Sequence, residues 1–287
     1  MKENGLNQNK LRLDALILPV SFLLFLVLAI GSWGFIILID GADLFELFSG
    51  DSFREAFGFL QQLLGVGAKQ PPAFFQAAKW SHALILARDT LVMSILAIGL
   101  ASIIASLTIM PSARNIAFGE LTPAPKYWRI IFILFRAMYL LTRSIPELIW
   151  AMMIIFLLNP GIVTGSLALA THNIGILGKL GSEVIEDMDP APARSLRGNG
   201  ANNGQLFLYG VLPMVLPQLL TYLFYRWEVI IRATIVVGFV AAGGLGYEFR
   251  LNMSFFRYTD ITLLLTVYLL LVWMVDIISV ALRKLAR

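Results

Sequence analysis

Long uncharged apolar runs set the frame for this chain. Ala15–Ile39, Thr90–Met110, Gly161–Gly178 and Leu206–Tyr225 contain no Asp, Glu, Lys or Arg, and a helix needs about 20 apolar residues to cross a bilayer. Ile130–Leu158 and Ile261–Leu282 are further candidates, each interrupted by charge. The sequence therefore predicts an all-α membrane protein with six transmembrane helices. Only 14% of its residues are charged, against roughly 25% in soluble domains, which excludes an ordinary soluble fold. There is no cysteine, so disulfides and thiolate metal sites are excluded. His82 and His172 are too far apart in sequence to suggest a metal site. The pI near 9.4 reads as membrane topology rather than nucleic-acid binding.

Lys and Arg accumulate on cytoplasmic loops. With the N-terminus inside, that side collects Lys2, Lys10, Arg12, Arg114, Lys126, Arg129, Lys179, Arg194, Arg197, Arg283, Lys284 and Arg287. The outer side collects only Arg54, Lys69, Lys79, Arg250 and Arg257. Both termini and the 183–213 loop are thus expected on the cytoplasmic side of a multi-pass membrane protein. The first run lacks a small-residue cleavage site, so it is expected to stay as a helix. The outer connection from Asp40 to Ser81 mixes Asp40, Asp43, Glu46, Asp51 and Glu55 with Phe45, Phe48, Phe53, Phe57 and Phe59. It predicts a short amphipathic helix at the membrane surface, ended by Pro71-Pro72. The expected division is an N-terminal part, 1–86, and a five-helix core, 87–287. Pro146 lies inside the third candidate span and predicts a kink or break, with Ser144 and Glu147 available to the loosened backbone.

The segment Glu183–Pro213, rich in charge, Pro and Gly, is polar between two apolar runs. Asp189-Pro190 starts a short helix, Gly198 and Gly200 allow a reversal, and Asn202 caps a second helix running through Gln205 towards Pro213. A compact helix pair over about 188–210 can pass a rigid push to the spans on either side.

The spacing from Arg194 through Gly200 to Leu212-Pro213 resembles the "EAA" loop of ABC importer permeases. TRSIPELIWAMM (Thr142–Met153), LALATHNIGILGKLGSEVIEDMDP (Leu167–Pro190) and LPMVLPQLLTYLFYRWEVIIRATIVVGFVAAGGLGYEF (Leu212–Phe249) are similar to permeases of the phosphonate/phosphite type, with the type I, methionine-importer-like permease fold. The resemblance runs from about Ala87 to the C-terminus. It implies a homodimer in the bacterial inner membrane, with two ATPase subunits and a periplasmic or lipid-anchored solute-binding protein. ATP and magnesium belong to the ATPase, and this chain carries no cofactor, metal or catalytic residue of its own. Asp189, Arg194, Ser195, Arg197, Gly200, Ala201 and Asn202 fall in the ATPase-coupling loop. One departure is that the acidic first position of the motif is Arg194 here. Asp187 or Asp189 could replace its carboxylate, or Arg194 could meet an acidic residue on the ATPase.

Ionisable residues at bilayer depth are costly and point to function. Arg129, Arg136 and Arg143 recur every seven residues on one helical face. The i,i+4 spacing pairs Arg143 with Glu147 and Glu228 with Arg232, leaving Arg136 and Arg226 as unpaired cations. With His172, these residues are the candidate translocation path, and its positive lining suits an anion. Gly243, Gly244 and Gly246 read as a tight outer turn that forms or hinges a gate. The alternatives are an ion-coupled secondary transporter, an ABC permease for another small solute, and an intramembrane enzyme acting on lipid phosphates. The sequence shows no symmetric pair of broken helices and no converging His, Asp and Ser set. Membrane lipids are expected partners; nucleic acid is not.

Overall fold

The computed structural model describes residues 3–38, 49–67, 70–119, 121 and 124–286. The chain divides into two compact units, Met1–Gln61 and Gln62–Arg287. In the first, α1 (Glu3–Leu38) contains Ile17–Leu38, with mean hydropathy 2.4 and no charge, so no face of that stretch is polar. The amphipathic helix expected in the outer connection is α2 (Gly50–Leu63). Phe53, Phe57 and Leu60 follow helical spacing along one side, and Asp51 pairs with Arg54 at 3.4 Å. Lys2, Asp40, Asp43, Phe45, Glu46, Phe48, Lys69 and Arg287 lie outside the described residues.

The second unit is built on α3 (Ala77–Thr108), α5 (Tyr127–Ser144), α6 (Glu147–Ile155), α7 (Ile162–Asp187), α10 (Leu212–Val237) and α12 (Tyr258–Leu285). The shorter α4 (Arg114–Ala117), α8 (Ala191–Gly198), α9 (Asn203–Gln205) and α11 (Gly244–Ser254) connect them. The boundary expected at 86/87 lies inside the continuous helix α3. A single turn, Ala73–Phe75, precedes that helix and joins the core. Ala73 is buried with Leu263 and Leu264 of α12, and Trp80 Nε1 donates to Phe74 O at 2.8 Å.

By length and apolarity, four helical stretches of the described residues can cross a bilayer: Ile17–Leu38, Ala77–Thr108, Asn203–Val240 and Tyr258–Leu285. Counting the bent pair α5 and α6 as one span gives five. The expected sixth, Gly161–Gly178, falls in α7, whose 26 residues give a length of about 39 Å. Its sequence is too polar to count because it is enclosed by protein. It packs against α3, α5, α6 and α10, so its polar residues meet neighbouring helices instead of lipid. Small residues permit this closeness. A Cβ at Gly178 would collide with the Tyr139 ring, and one at Gly175 with Thr142 Oγ1 and the α5 backbone. Interhelical hydrogen bonds add direction: Ser166 Oγ donates to Met93 O at 3.2 Å, and Ser279 Oγ to Phe224 O at 2.9 Å.

The predicted break at Pro146 is large: α5 and α6 meet at 92°. Proline lacks the donor that would continue the ladder, so carbonyls on the α5 side need other partners. His172 supplies one, with Nδ1 2.9 Å from Ile145 O. Trp150 supplies another, its Nε1 donating to Thr142 O at 3.0 Å. Ser144 and Glu147, the partners expected from sequence, do neither. Ser144 Oγ bonds back to Leu140 O.

Candidate functional site

The polar loop folds as local chemistry dictates. α7 stops at Asp187, where Met188 turns extended at φ −66°, ψ 150°. Asp189 Oδ1 accepts the Ala191 amide at 2.9 Å, and Pro190 opens α8, so one orphan donor of the first turn is satisfied. The chain reverses after Gly198 at Gly200, whose φ of +87° is the left-handed conformation that glycine adopts freely. Asn202 then forms a capping box. Its Oδ1 accepts the Gln205 amide at 2.9 Å, and Gln205 Oε1 accepts the Asn202 amide at 3.0 Å. Arg197 Nη1 closes the reversal by donating to Asn203 Oδ1 at 2.8 Å and to Ala201 O at 3.3 Å.

The second arm of this loop is not a separate short helix. α9 continues through a π-helical stretch, Leu206–Val211, directly into α10. The widened turns end at Pro213 in the first turn of α10, where a missing amide costs least. α8 is anchored by Ala193, which is 1% exposed, and by Leu196, which lies over Gly210. A Cβ at Gly210 would stand 3.1 Å from Leu196 Cδ1. Ala193, Leu206, Val211 and Val215 share one apolar cluster with Ile116, Val184 and Ile185. Arg194 and Ser195 point away from it and are exposed.

The charges read as a translocation path separate into two groups. Arg136 is not free: its guanidinium pairs with Glu186, and its Nε donates to Ser112 O at 3.0 Å. Glu228 pairs with Arg283 at 2.7 Å rather than with Arg232. Arg232 instead donates to Asp276, at 3.0 and 3.1 Å to its two oxygens. These three pairs clamp α5 to α7 and α10 to α12. The i,i+4 pairing fails because α12 brings an oppositely charged partner to each member, Asp276 to Arg232 and Arg283 to Glu228.

The second group gathers at the Pro146 break. Arg143 and Glu147 are not paired, because the 92° bend removes the helical register their spacing assumed. Glu147 Oε2 faces His172 Nε2 at 3.6 Å. A carbonyl only accepts, so the hydrogen bond to Ile145 O assigns the ring hydrogen to Nδ1. Next along α7, Asn173 Oδ1 receives two bonds from Arg226, at 2.9 Å from Nε and 2.7 Å from Nη2. Asn173 is 2% exposed and fixed in turn by its Nδ2 bond to Leu169 O. Among the described residues Arg143 makes no ion pair, and the acceptor that orients Arg226 is neutral.

The glycine turn is packed more tightly than the sequence suggests. Gly243 and Gly244 have φ of +85° and +66°, which forms the turn between α10 and α11. Gly244, Leu245 and Gly246 are buried. Leu245 N donates to Thr90 Oγ1 of α3 at 2.9 Å, and a Cβ at Gly246 would meet Ile235 O and Gly238. The residues that sequence reasoning missed are partners remote along the chain: Asn173, Glu186, Asp276 and Arg283. A carboxylate inside the predicted span Ile261–Leu282 was the available signal for Asp276, and Glu186 stood among the charges that open the polar segment; for Asn173 it was a carboxamide beside the conspicuous His172.

Comparison with known proteins joins these features. Residues 124–286 match the family described as "Binding-protein-dependent transport system inner membrane component". A phosphite transport system permease protein of Stutzerimonas stutzeri is 36% identical over 218 residues, covering 76% of this chain and 75% of that protein. A phosphate-import permease protein of Mycolicibacterium smegmatis is 30% identical over 200 residues, 70% of this chain but only 36% of that longer protein. A putative cryptic phosphonate transport system permease protein of Escherichia coli is 40% identical over 118 residues, covering 41% of this chain and 97% of that protein. Among solved structures, the inward-facing MetNI methionine ABC transporter superposes with TM-score 0.61 at 17% identity, covering 71% of this chain and 95% of the matched one. The fold is therefore that of a type I importer permease, and the chain belongs to the binding-protein-dependent transport system inner membrane components, the permease subunits of ABC importers.

Proposed function

We propose that this permease carries phosphite, phosphonate or a related phosphorus oxyanion into the cytoplasm as one half of a homodimer. Both termini and α8 lie on the cytoplasmic side, where two separate ATPase subunits bind α8 and hydrolyse ATP with magnesium. A periplasmic or lipid-anchored solute-binding protein delivers the substrate from outside. Asp189, Arg197, Gly200, Ala201 and Asn202 shape the docking element, and Arg194 and Ser195 are its outward contacts. The turn at Gly243 and Gly244, with Gly246 in the first turn of α11, belongs to the outer gate.

One observation carries the substrate class: the relatives spanning most of this chain bear phosphite and phosphate names, and the chain itself holds a suitable cation. Arg226 is positioned by a neutral carboxamide, Asn173, so it is oriented without being neutralised by that partner. Its remaining N–H groups match phosphoryl oxygens. Arg143, Glu147 and His172 complete the path at the helix break. Arg136, Glu228 and Arg232, engaged in ion pairs, are structural in this reading. A second reading, inorganic phosphate as the cargo, is favoured by the name of the Mycolicibacterium relative.

The test is uptake into vesicles containing this chain, its ATPase and the binding protein, with phosphite, methylphosphonate and phosphate in parallel. ATP-dependent uptake of one phosphorus oxyanion is the expected result. A marked preference for an uncharged or cationic solute would overturn the proposal.

A further inference from the structure

We infer that Glu186 is the positioning residue that carries displacement of the α8–α9 loop into α5; this rests on the ATP-driven reading above. Glu186 sits in the last turn of α7, three residues before Asp189. The terminal carbonyls of a helix have no partners within it, and such turns fray unless something else holds them. Here the holding groups come from elsewhere in the chain. Asn115 Nδ2 donates to Ile185 O at 2.7 Å. Glu186 Oε1 accepts the Arg114 amide at 2.6 Å and meets the Arg136 guanidinium.

Arg136 extends this knot, since its Nε donates to Ser112 O at 3.0 Å. One turn further along α5, Tyr139 OH donates to Thr108 Oγ1 at 2.7 Å. The start of α4 and the middle of α5 therefore meet on one carboxylate in the last turn of α7, and Arg136 and Tyr139 tie α5 in turn to Ser112 and to Thr108 at the end of α3. Steric fit locks α7 to α5 higher up, at Gly175 and Gly178. Below Gly181, where the helix leads to α8, the polar knot takes over.

The consequence is mechanical. When α8 moves, the last turn of α7 moves with it. With the Arg136–Glu186 pair intact, α5 must follow, and α5 leads to the bend at Pro146 beside Glu147, His172 and Arg226. Without the pair, that turn can yield alone. The pair leaves 25% and 24% of its two side chains exposed, so it is neither a freely solvated contact nor a sealed core pair.

The experiment uses the full transporter in proteoliposomes with its ATPase and binding protein. Glu186→Gln keeps the size of the side chain and an oxygen for the Arg114 amide, and removes only the charge. Assembly, thermal stability and basal ATP hydrolysis should stay near wild type, while phosphorus-oxyanion uptake per ATP falls by about fivefold or more. Arg136→Gln should reproduce the loss, Arg136→Lys should restore most of the coupling, and the double Gln variant should be no worse than either single one. If Glu186→Gln does not reach the membrane, the Arg136 pair of variants carries the same test. Wild-type uptake per ATP in either Gln variant, or additive losses in the double variant, would overturn the inference. A wild-type protein without any ATP-dependent uptake would instead overturn the importer mechanism on which it rests.

Discussion

Gly178 of α7 lies directly beneath the ring of Tyr139 of α5, with no room for even a single methyl group between them. Tyr139 is 1% exposed, and its hydroxyl is held by Thr108 and Ser112, so the ring cannot swing aside without breaking those bonds. Overpacking of this kind costs about 1–3 kcal/mol. Gly178→Ala should lower the thermal unfolding temperature of the purified transporter, and Gly178→Val should sharply reduce the amount recovered from membranes. An unchanged melting curve for the Ala variant would show that α5 and α7 are not locked at this point.

The left-handed turn at Gly200 makes a separate prediction. A non-glycine residue in that conformation costs about 1–2 kcal/mol, and proline cannot adopt it because its φ is fixed near −65°. Gly200→Ala should weaken coupled uptake modestly. Gly200→Pro should abolish it while leaving membrane insertion intact, because the affected turn is exposed. Uptake and insertion are measured on the same vesicle preparation; wild-type uptake in the proline variant would show that the turn has no part in coupling.

Glu228 is 8% exposed, and its charge contact is Arg283 of α12. Glu228→Gln leaves a guanidinium facing a neutral group in a confined site, a loss of about 3 kcal/mol if the site stays dry. Replacing both residues with Met should cost less than the single change. Thermal unfolding of Glu228→Met, Arg283→Met and the double Met variant separates the pair from its parts; additive losses would mean the contact is incidental.

Asn173→Asp alters the proposed path without altering its shape. An anionic oxygen would then face Arg226 where a neutral one stands at 2.7 Å, satisfying the cation internally. Uptake of the oxyanion should fall about tenfold, equivalent to about 1.4 kcal/mol, with basal ATP hydrolysis unchanged. Normal uptake at saturating and at low substrate would remove Arg226 from the path.

What could be read from the sequence followed from local chemistry. The apolar runs located the spans, Asp189-Pro190 and Asn202 marked helix starts, Gly200 marked the reversal, and Pro146 marked the break. What could not be read followed from distance along the chain. Arg136 and Glu186 are 50 residues apart, Arg226 and Asn173 are 53, and Arg232 and Asp276 are 44. A helical spacing rule ranks partners on one helix and cannot see a better acceptor on another. It also presumes an unbroken helix, which is why Arg143 and Glu147 were matched across a bend that separates them. The character of α7 was hidden for a related reason: a helix surrounded by protein needs no greasy surface, so its composition resembles that of a weaker span.

The way α8 is seated has an evolutionary corollary. Its grip on the rest of the fold comes from Ala193 and Leu196, whereas Arg194 and Ser195 contribute nothing to that grip. In the proposed reading, recognition and architecture therefore fall on different sides of one short helix. A lineage can rewrite the two outward residues to suit a different motor while every interior contact stays as it was.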